Sequence, residues 1–459
     1  MKHAASICFA LALVAAACAG PPQGASTVPY GSERSLAVRH GGRFPTPIQH
    51  VIIIFQENRT PDYLFQGMLP YGANIATTAV DSYGELVPLK PISLAAPYDL
   101  GHSHKNFLDD CDLQQSGTCR MDGFDSYLPV KYHLRPYGYA PQSEVQPYLD
   151  MATQYVFADN MFQSNEAGSF PAHQYIISGD AEAEPATVDN VSSDPYNKNT
   201  GAKTPAGCDA PKNSVVETID AVTGSPGPTP FPCFERQTLS DLLDQRGVTW
   251  KYYQNGLGPG LWHGPDAIHH IRYGPDYRFV VTPPQTILTD VTSGKLPGVS
   301  WVMPADGYHS DHSGNKSTAG PSWVAAIVNT VGQSQYWNST AILLTWDDWG
   351  GWYDHATPML FNSYELGFRV PLVVISPYSK KAAPSGGVYI SHVQYEFGSL
   401  LAFAEETFGI PKGALKSTDV RANDLSDAFD FTQSPRPFVV ISAPPFVPGK
   451  GKLRDDEDP

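Results

Sequence analysis

Unbroken runs of apolar residues are the clearest feature of the hydrophobic pattern along this chain. Three such runs cover residues 50–55, 340–346 and 370–376. Short apolar runs without polar alternation are typical of strands buried on both faces of a parallel sheet. Between and after them, apolar residues recur at helical spacing in residues 237–246, 323–331 and 395–408. Alternating strands and helices predict an α/β fold, a three-layer sandwich with a mostly parallel central sheet and loop insertions.

The first residues have the pattern of an export signal. Residues 1–19 start with a short polar stretch, continue with an apolar core and end in the small residues Ala17, Cys18 and Ala19. The core is too short to span a bilayer, so we predict a cleaved signal peptide and an exported, periplasmic or secreted protein. A lipid anchor on Cys18 and a buried N-terminal helix are the alternatives. No later stretch of the sequence is long and apolar enough to predict a transmembrane span.

Composition divides the rest of the chain. Residues 20–45 are rich in Pro, Gly and Ser and are predicted to be a linker, and residues 46–435 are the predicted main domain. Within that domain, residues 180–235 are rich in small and polar residues and are predicted to be an insertion or cap. Residues 436–459 are predicted to be a tail with a charged end.

The charge balance narrows the range of partners. The chain carries a formal net charge of −16, from 30 Lys and Arg against 46 Asp and Glu. An acidic surface repels nucleic-acid backbones, so we expect no nucleic-acid partner. Phosphate chemistry is still compatible with this charge, because a bound metal ion can supply positive charge locally.

Four cysteines follow the predicted signal, namely Cys111, Cys119, Cys208 and Cys233. An even number in an exported protein favours disulfides. Pairing Cys111 with Cys119 and Cys208 with Cys233 closes the shortest loops, and we predict this pairing. A zinc site built from all four thiolates is the alternative, although the chain has no paired C-x-x-C motif.

Oxygen-bearing side chains directly follow two of the apolar runs. Glu57 and Asn58 come after the first, and Asp347 and Asp348 come after the second. Ligands bind at the carboxyl ends of strands in open parallel sheets, so these four side chains are predicted to meet there. Carboxylate and amide oxygens suit one hard divalent cation, whose identity the sequence leaves open. The alternative is that each pair caps a turn or a helix.

Histidines are concentrated in three loop-like stretches rich in glycine and serine. They are His102 with His104, His309 with His312, and His355. A single histidine is more often structural than catalytic, but three such stretches indicate a site that needs proton transfer or imidazole ligands. We predict His102 as a proton donor, His312 and His355 as ligands or anion-stabilising groups, and His104 and His309 as substrate contacts.

A candidate nucleophile lies in another stretch. Ser169 stands between Gly168 and Pro171, just before the helical pattern of residues 174–178. A hydroxyl near a helix N-terminus is well placed at an anion site, whereas the alternative is a serine that only caps the helix. The chain has no G-x-S-x-G elbow, no Walker loop and no G-x-G-x-x-G motif opening a helix.

The most specific motifs lie between residues 50 and 431. In chain order they read HVIIIFQENRTPDYLF, DLGHSH, MDGF, GSFPAHQYIISG, SDHS, TWDDWGGWYDH, RVPLVVISPY and DVRANDLSDAFDF. Together they resemble the bacterial phosphoesterase family that contains non-haemolytic-type phospholipases C and respiratory-burst-inhibiting acid phosphatases, within the alkaline-phosphatase-like superfamily. The SDHS motif departs from the commoner SDHP of that family, and the insert at 180–235 has no counterpart that we can place.

The resemblance implies a metal-dependent hydrolase of phosphate mono- or diesters with an alkaline-phosphatase-like fold. The implied substrate is a small phosphate ester or a phospholipid. The implied metal ligands are Glu57, Asn58, Asp347 and Asp348. The implied active-site histidines are His102, His312 and His355, with His173 as a phosphate contact. Ser169 is the implied nucleophile, forming a phosphoseryl intermediate, and His102 is expected to protonate the leaving alcohol.

Two other functions are compatible with the same fold. A non-catalytic surface binding protein is one, but retention of Ser169 together with all four implied ligands argues against it. A sulfatase-like hydrolase is the other. That chemistry needs a Cys or Ser in a C/S-x-P-x-R motif, and here Ser169 and Pro171 match whereas His173 replaces the arginine.

Overall fold

An eight-stranded sheet forms the centre of the molecule. The computed structural model describes residues 46–185, 187–382 and 387–449. The strands of the sheet are β1 (His50–Gln56), β2 (Val156–Ala158), β3 (Trp250–Tyr253), β4 (Val280–Val281), β5 (Val299–Val302), β6 (Thr340–Trp346), β7 (Leu372–Ile375) and β8 (Tyr389–Ser391). Their order across the sheet is β4-β3-β5-β1-β6-β7-β2-β8. The predicted central sheet is therefore confirmed.

Strand direction is uniform except at β7. The pairs β4–β3, β3–β5, β5–β1, β1–β6 and β2–β8 are parallel, whereas β7 runs antiparallel to both β6 and β2. The sheet is mostly parallel, as predicted. The apolar run at 370–376 does form a strand, but an antiparallel one, because burial on both faces produces the same sequence pattern in either direction.

Helices cover both faces of the sheet. Val51, Ile52, Ile53 and Ile54 are consecutive in β1 and all fully buried, and successive side chains of a strand point to opposite faces. The helices are α1 (Pro61–Leu64), α2 (His104–Cys111), α3 (Gln142–Gln154), α4 (Ser169–Ser178), α5 (Leu239–Gln245), α6 (His269–Tyr273), α7 (Thr286–Thr292), α8 (Gly320–Gly332), α9 (Phe397–Thr407) and α10 (Thr418–Arg421). Helices α3, α7 and α8 pack together, and α4 packs with α5 and α9. This completes the predicted three-layer sandwich.

The three predicted helices are present with small shifts of their ends. They correspond to α5, α8 and α9. Helix α8 begins earlier than predicted, since Pro321 lies in its first turn, where the missing N–H of proline costs no hydrogen bond. Helix α4 also begins earlier than the pattern at 174–178 suggested, so that Ser169 is its first residue.

Both predicted disulfides are present. Cys111 and Cys119 are joined with an S–S distance of 2.02 Å, and Cys208 and Cys233 with one of 1.93 Å. The zinc alternative is therefore wrong. Disulfides of this kind are typical of oxidising compartments.

Short two-stranded sheets lie outside the central sheet. Within residues 180–235, Asp189–Val191 pairs with Thr218–Asp220, and Tyr196–Asn197 pairs with Ser214–Val215. Elsewhere Thr78–Val80 pairs with Leu86–Pro88, and Lys90–Pro91 pairs with Gly138–Tyr139. That residues 180–235 are an insertion stays a prediction.

Residues 436–449 run along the core. Ile441 is buried, and Phe438 and Phe446 pack against Trp337 and Trp323, respectively. The predicted signal at 1–19, the linker at 20–45, Cys18 and the charged end of the predicted tail lie outside the described residues. None of the helices in the described ranges combines the length and the apolarity that crossing a bilayer requires.

Glu405, near the end of α9, gives the fold a predicted pH dependence. Burial, together with nearby Asp419, raises its pKa from 4.5 to about 8. Between these values the folded chain keeps a proton that the unfolded chain has lost, so stability falls as pH rises, by up to about 1.4 kcal/mol per pH unit. We expect Glu405→Gln to flatten this slope in urea unfolding between about pH 5 and pH 8. Glu184→Gln, at an exposed site, is the control, and a slope unchanged in Glu405→Gln would contradict the assignment.

Candidate active site

The carboxyl ends of β1 and β6 bring the predicted metal ligands together. The two strands are adjacent and parallel, with Gln56 opposite Trp346. The next residues therefore lie side by side, and the backbone N–H of Asn58 donates to Asp347 Oδ1 over 2.9 Å. Glu57, Asn58, Asp347 and Asp348 are all fully buried. Two stretches that are distant in the sequence thus form one polar centre inside the core.

Tight backbone contacts fix this centre. Asn58 has a left-handed backbone with φ of 60°, a conformation that asparagine tolerates better than most residues. Gly350, with φ of 62°, packs so closely that a Cβ there would lie 2.4 Å from the Asn58 carbonyl oxygen. Only glycine fits such an approach. The glycine after the paired aspartates therefore allows the two ligand loops to touch.

Ser169 faces the same centre. Its Oγ lies 3.2 Å from Glu57 Oε2 and 3.4 Å from Asp348 Oδ2. Gly168, not Ser169, occupies the N-cap position of α4. The alternative in which Ser169 only caps the helix is therefore wrong. The hydroxyl instead lies between an acid that follows β1 and an acid that follows β6.

His173, one turn further along α4, also points at the acids. Its Nε2 lies 3.3 Å from Glu57 Oε1 and 3.7 Å from Asp347 Oδ2, and its Nδ1 lies 3.4 Å from the hydroxyl of Tyr252. Glu57, His173 and Asp347 form a group whose potential ligand atoms all lie within 4.8 Å of one another. The structure thus places His173 beside the predicted ligands, where it can serve as a fifth one.

The polar atoms at this centre fit a cation. Asn58 Oδ1 and Asp347 Oδ2 are buried, and neither has a hydrogen-bond donor within the described chain. An unsatisfied buried acceptor is costly unless another positive partner is present. Burial alone would raise the pKa of Asp347, but its contacts with His173, Glu57 and Ser169 hold that pKa below its usual value. Buried oxygens of this type are the ligands that a hard divalent ion prefers.

His102 sets the orientation of the Asn58 amide. His102 Nδ1 lies 2.7 Å from the carbonyl oxygen of Leu100, which can only accept, so Nδ1 carries the proton. In a neutral ring Nε2 then accepts from Asn58 Nδ2, at 2.9 Å. The amide is thereby turned so that its oxygen faces away from His102. For His102 to donate a proton from Nε2, the ring must first release Asn58 and take up a second proton.

His312 lies next to His102, with ring centroids 6.0 Å apart. Its Nδ1 donates to the carbonyl oxygen of Ser313 over 2.7 Å, and Asp99 Oδ2 is 3.8 Å away. The two histidines thus have matching tautomers, with Nδ1 on a backbone carbonyl. The structure therefore places His102 against the predicted ligand Asn58 and His312 beside His102.

Two other predicted histidines, His104 and His309, make different contacts. His104 Nδ1 contacts the backbone carbonyl of Glu166, three residues before Ser169, and burial lowers its pKa. His309 Nδ1 is 2.8 Å from Asp306 Oδ1, and its ring packs on Phe446. Neither contact joins these rings to Ser169. A role for His104 and His309 in substrate binding stays a prediction.

His355 belongs to a separate buried ion-pair network. It donates to Asp62 Oδ2 over 2.7 Å and contacts Asn74 Oδ1 at 2.9 Å. Burial opposes the charge of the ring, but Asp62 raises its pKa. Arg369 binds Asp354 through two nitrogens, at 2.8 and 3.0 Å, and also Asp62. Asp62 and Asp354 already accept from His355 and Arg369, so this cluster fits an ion-pair network better than a metal site.

Comparison with known proteins decides the family. The model of the phosphoesterase family matches residues 48–411. The chain belongs to the phosphoesterase family. It is 26% identical over 446 residues to phospholipase C A of Mycobacterium tuberculosis, a match that covers 85% of this chain and 78% of that protein. The non-hemolytic phospholipase C of Pseudomonas aeruginosa is 25% identical, with 91% and 62% covered. Non-specific phospholipase C1 of Arabidopsis thaliana is 24% identical, with 85% and 72% covered.

These findings confirm the predicted family and make this phosphoesterase a phosphoric ester hydrolase. The match includes both ligand loops and α4, since residues 48–411 contain them. The roles of the individual residues of its site stay predictions.

Two buried residues that the sequence did not single out hold the loops of this phosphoesterase together. Gln163 donates from Nε2 to the carbonyl oxygens of Asn165 and Ala167 and accepts from the backbone N–H of Trp349 through Oε1. It thus ties the approach to Ser169 to the loop after β6. Arg59 donates to the carbonyl oxygen of Asn58 over 2.8 Å. Polar residues in loops have no hydrophobic periodicity that would single them out in the sequence. The only available signal is that Arg59 directly follows the predicted ligands Glu57 and Asn58.

Ser313, at the point where this chain departs from the SDHP motif, joins three loops. Its hydroxyl oxygen accepts from Arg59 Nη1 at 2.5 Å and from Trp352 Nε1 at 2.9 Å, and its carbonyl accepts from His312. A proline in its place has no hydroxyl to offer these two buried donors.

Ser313→Ala is therefore expected to lower the free energy of unfolding by about 3 kcal/mol, since each buried donor left unpaired costs about 1–3 kcal/mol. Urea unfolding measures this effect, with the exposed Ser434→Ala as the control. A loss no larger than that of Ser434→Ala would show that the two donors find other partners.

Proposed function

We propose that this chain is an exported, divalent-metal-dependent phosphoesterase that cleaves phosphate mono- or diesters through a phosphoseryl intermediate. The observation that supports this most directly is the position of Ser169 Oγ, 3.2 Å from Glu57 and 3.4 Å from Asp348. A buried hydroxyl held between acids from two strand ends, at the N-terminus of a helix, is suited to attack an anionic ester.

The residues that would hold the metal ion are Glu57, Asn58, Asp347 and Asp348, with His173 as a further ligand. When bound, a divalent cation supplies the positive charge needed beside buried acids, an ionised serine and phosphoryl oxygens. The two acceptors without hydrogen-bond donors, Asn58 Oδ1 and Asp347 Oδ2, support this assignment. One ion is proposed, and its identity is open.

Ser169 Oγ attacks phosphorus, and its proton passes to the carboxylate of Glu57. An O–P bond to Ser169 forms while the bond from phosphorus to the leaving oxygen breaks. The leaving alcohol receives a proton from Nε2 of His102 or His312, an effect worth about 10²–10⁴-fold in rate. Since Nδ1 of each ring holds its proton on a backbone carbonyl, the donating ring is the doubly protonated imidazolium, which returns to the neutral form when it gives up the Nε2 proton. For His102 this requires release of Asn58. Water then attacks the phosphoserine in the reverse sense, and the serine recovers its proton.

The relatives and the disulfides support a proposal for the substrate and the location. The named relatives are phospholipases C, which makes a phospholipid or a small phosphate ester the substrate that we propose. Two disulfides support export to an oxidising compartment. The proposed form of export is a cleaved signal at residues 1–19, with a lipid anchor on Cys18 as the alternative.

A substrate panel tests the proposed function. Hydrolysis of p-nitrophenyl phosphate, bis-p-nitrophenyl phosphate and p-nitrophenyl phosphorylcholine would be measured with and without a chelator. We expect hydrolysis of at least one ester and its loss on chelation. Activity that survives complete metal removal would exclude the metal-dependent mechanism, and no hydrolysis of any phosphate ester by the metal-loaded chain would exclude the function.

A further inference from the structure

A cleft opens beside the nucleophile, and most of its wall comes from one segment. Its volume is about 240 Å³. His102, Ser103 and Gly168 line it on the side of the candidate active site. The remaining lining residues all lie in residues 192–203, and they are Ser192, Ser193, Asp194, Pro195, Tyr196, Gly201 and Lys203. Since Gly168 directly precedes Ser169, a substrate at Ser169 would extend into this cleft.

Hydrogen bonds hold the 192–203 segment against helix α4. Asp194 Oδ1 accepts from the backbone N–H of Phe170, the residue after Ser169, over 3.2 Å. The Ser193 hydroxyl donates to the carbonyl of Asp194 and accepts from the N–H of Glu217. The polar groups of Ser193 and Asp194 therefore have structural partners, and the wall of the cleft has a defined position relative to the nucleophile.

Lys203 is the one Lys or Arg among the residues that line the cleft. It lies opposite Tyr196 in an antiparallel bridge, which places the two side chains on the same face of the hairpin. Lys203 is exposed. Within residues 46–185, 187–382 and 387–449 no carboxylate forms an ion pair with its ammonium group. Its charge is thus available to a ligand.

Lys203 carries a positive charge in a chain that is acidic overall. The whole chain has a net charge of −16, which repels anionic substrates at long range. Lys198 and Lys212 lie near Lys203 in sequence and are also exposed, and the backbone N–H of Lys198 pairs with Asn213. Of these three lysines, only Lys203 lines the cleft, so it is the one that offsets the repulsion of an anionic group bound there.

We propose that Lys203 binds a second anionic group of the substrate, a phosphate or a carboxylate carried on the part that extends from the scissile phosphate into the cleft. This inference rests on the proposed function for the position of the scissile phosphate. The proposed substrate is thus a phosphate ester that carries a second anionic group besides the scissile phosphate. An ester whose other group is neutral or cationic would not make this contact. A soluble bisphosphate and an anionic phospholipid headgroup share this chemistry.

Binding to an inactive variant tests the proposal without turnover. In the Ser169→Ala background, calorimetry would compare an alkanediol bisphosphate with the alkyl monophosphate of the same chain length. We expect Lys203→Gln to weaken bisphosphate binding by about 3–5-fold, the size of one exposed ion pair, and Lys203→Glu to weaken it further. Monophosphate binding should stay unchanged, the bisphosphate effect should shrink at high salt, and Lys198→Gln is the matched control.

Vesicles distinguish the two sources of the anion. The enzyme with Ser169 intact would be assayed on phosphatidylserine and phosphatidylcholine vesicles, with and without Lys203→Gln. A preference for phosphatidylserine that depends on Lys203 identifies a lipid headgroup, whereas an effect confined to the bisphosphate identifies a soluble substrate. Equal loss for monophosphate and bisphosphate, or no loss for either, overturns the proposal. Absence of hydrolysis with a retained bisphosphate effect overturns the proposed function alone.

Discussion

Replacing Ser169 by alanine is expected to lower kcat by at least about 10⁴-fold, because the variant has no oxygen to form the covalent intermediate. Folding and metal content should be unchanged. Ser169 is fully buried, but alanine fills less space and leaves no unpaired donor. Steady-state kinetics on p-nitrophenyl phosphate measures the effect. In the unmodified enzyme, rapid acid quenching followed by mass spectrometry should find one phosphoryl group on the peptide that contains Ser169.

Ser178→Ala is the matched control, because it removes a buried hydroxyl from the same helix. The Ser178 hydroxyl donates to the backbone carbonyls of Gln174 and Asp180, and neither of these is a proposed metal ligand. Turnover of that variant should resemble the unmodified enzyme. Near-normal turnover by Ser169→Ala would remove Ser169 from the mechanism, and the acids would then be expected to activate water directly.

Removal of the metal ion is expected to abolish turnover and to lower the melting temperature. Glu57, Asp347 and Asp348 are fully buried within one centre, and without a cation their charges repel one another at low local dielectric. Dialysis against a chelator, followed by addition of single divalent ions, measures both effects. Elemental analysis should find about one ion per chain before dialysis, as expected for one ligand set.

Asp348→Asn separates metal binding from general loss of charge. The amide keeps the size of the side chain but weakens the pull on a cation, so metal affinity and kcat should fall together. Asp109→Asn, at a partly exposed acid paired with Lys105, is the control and should keep both. Full activity of a chain that elemental analysis shows to be free of metal would exclude the assignment.

The sequence predicts the centre of the site because the two apolar runs that reveal strands are followed directly by the candidate metal ligands. Apolar runs reveal β1 and β6, and the rule that ligands bind at carboxyl ends of parallel strands brings Glu57 and Asp347 together. The hydrogen bond from the Asn58 backbone to Asp347 Oδ1 agrees with that prediction. The position of Ser169 against Glu57 also agrees with the predicted geometry.

Other features leave no readable trace in the sequence. Strand β7 runs antiparallel to both neighbours, because strand direction depends on connections and not on apolar content. The sequence does not predict helix α3, because Pro147 lies inside it and proline usually interrupts a helix. The partners of His355 are set by Arg369 and Asp62, which only tertiary packing brings together. Loop histidines can therefore be recognised as a group, but not assigned one by one.

The hydrogen bond between Asn58 and Asp347 spans 289 residues of sequence. A ribosome-bound chain that ends before β6 therefore holds only half of the centre, with Ser169 already synthesised but lacking two of its acidic neighbours. Catalytic competence should therefore appear only after β6 and the aspartates that follow it have been made and have docked beside β1. Proteolytic fragments that contain only one of the two ligand loops are for the same reason expected to be inert.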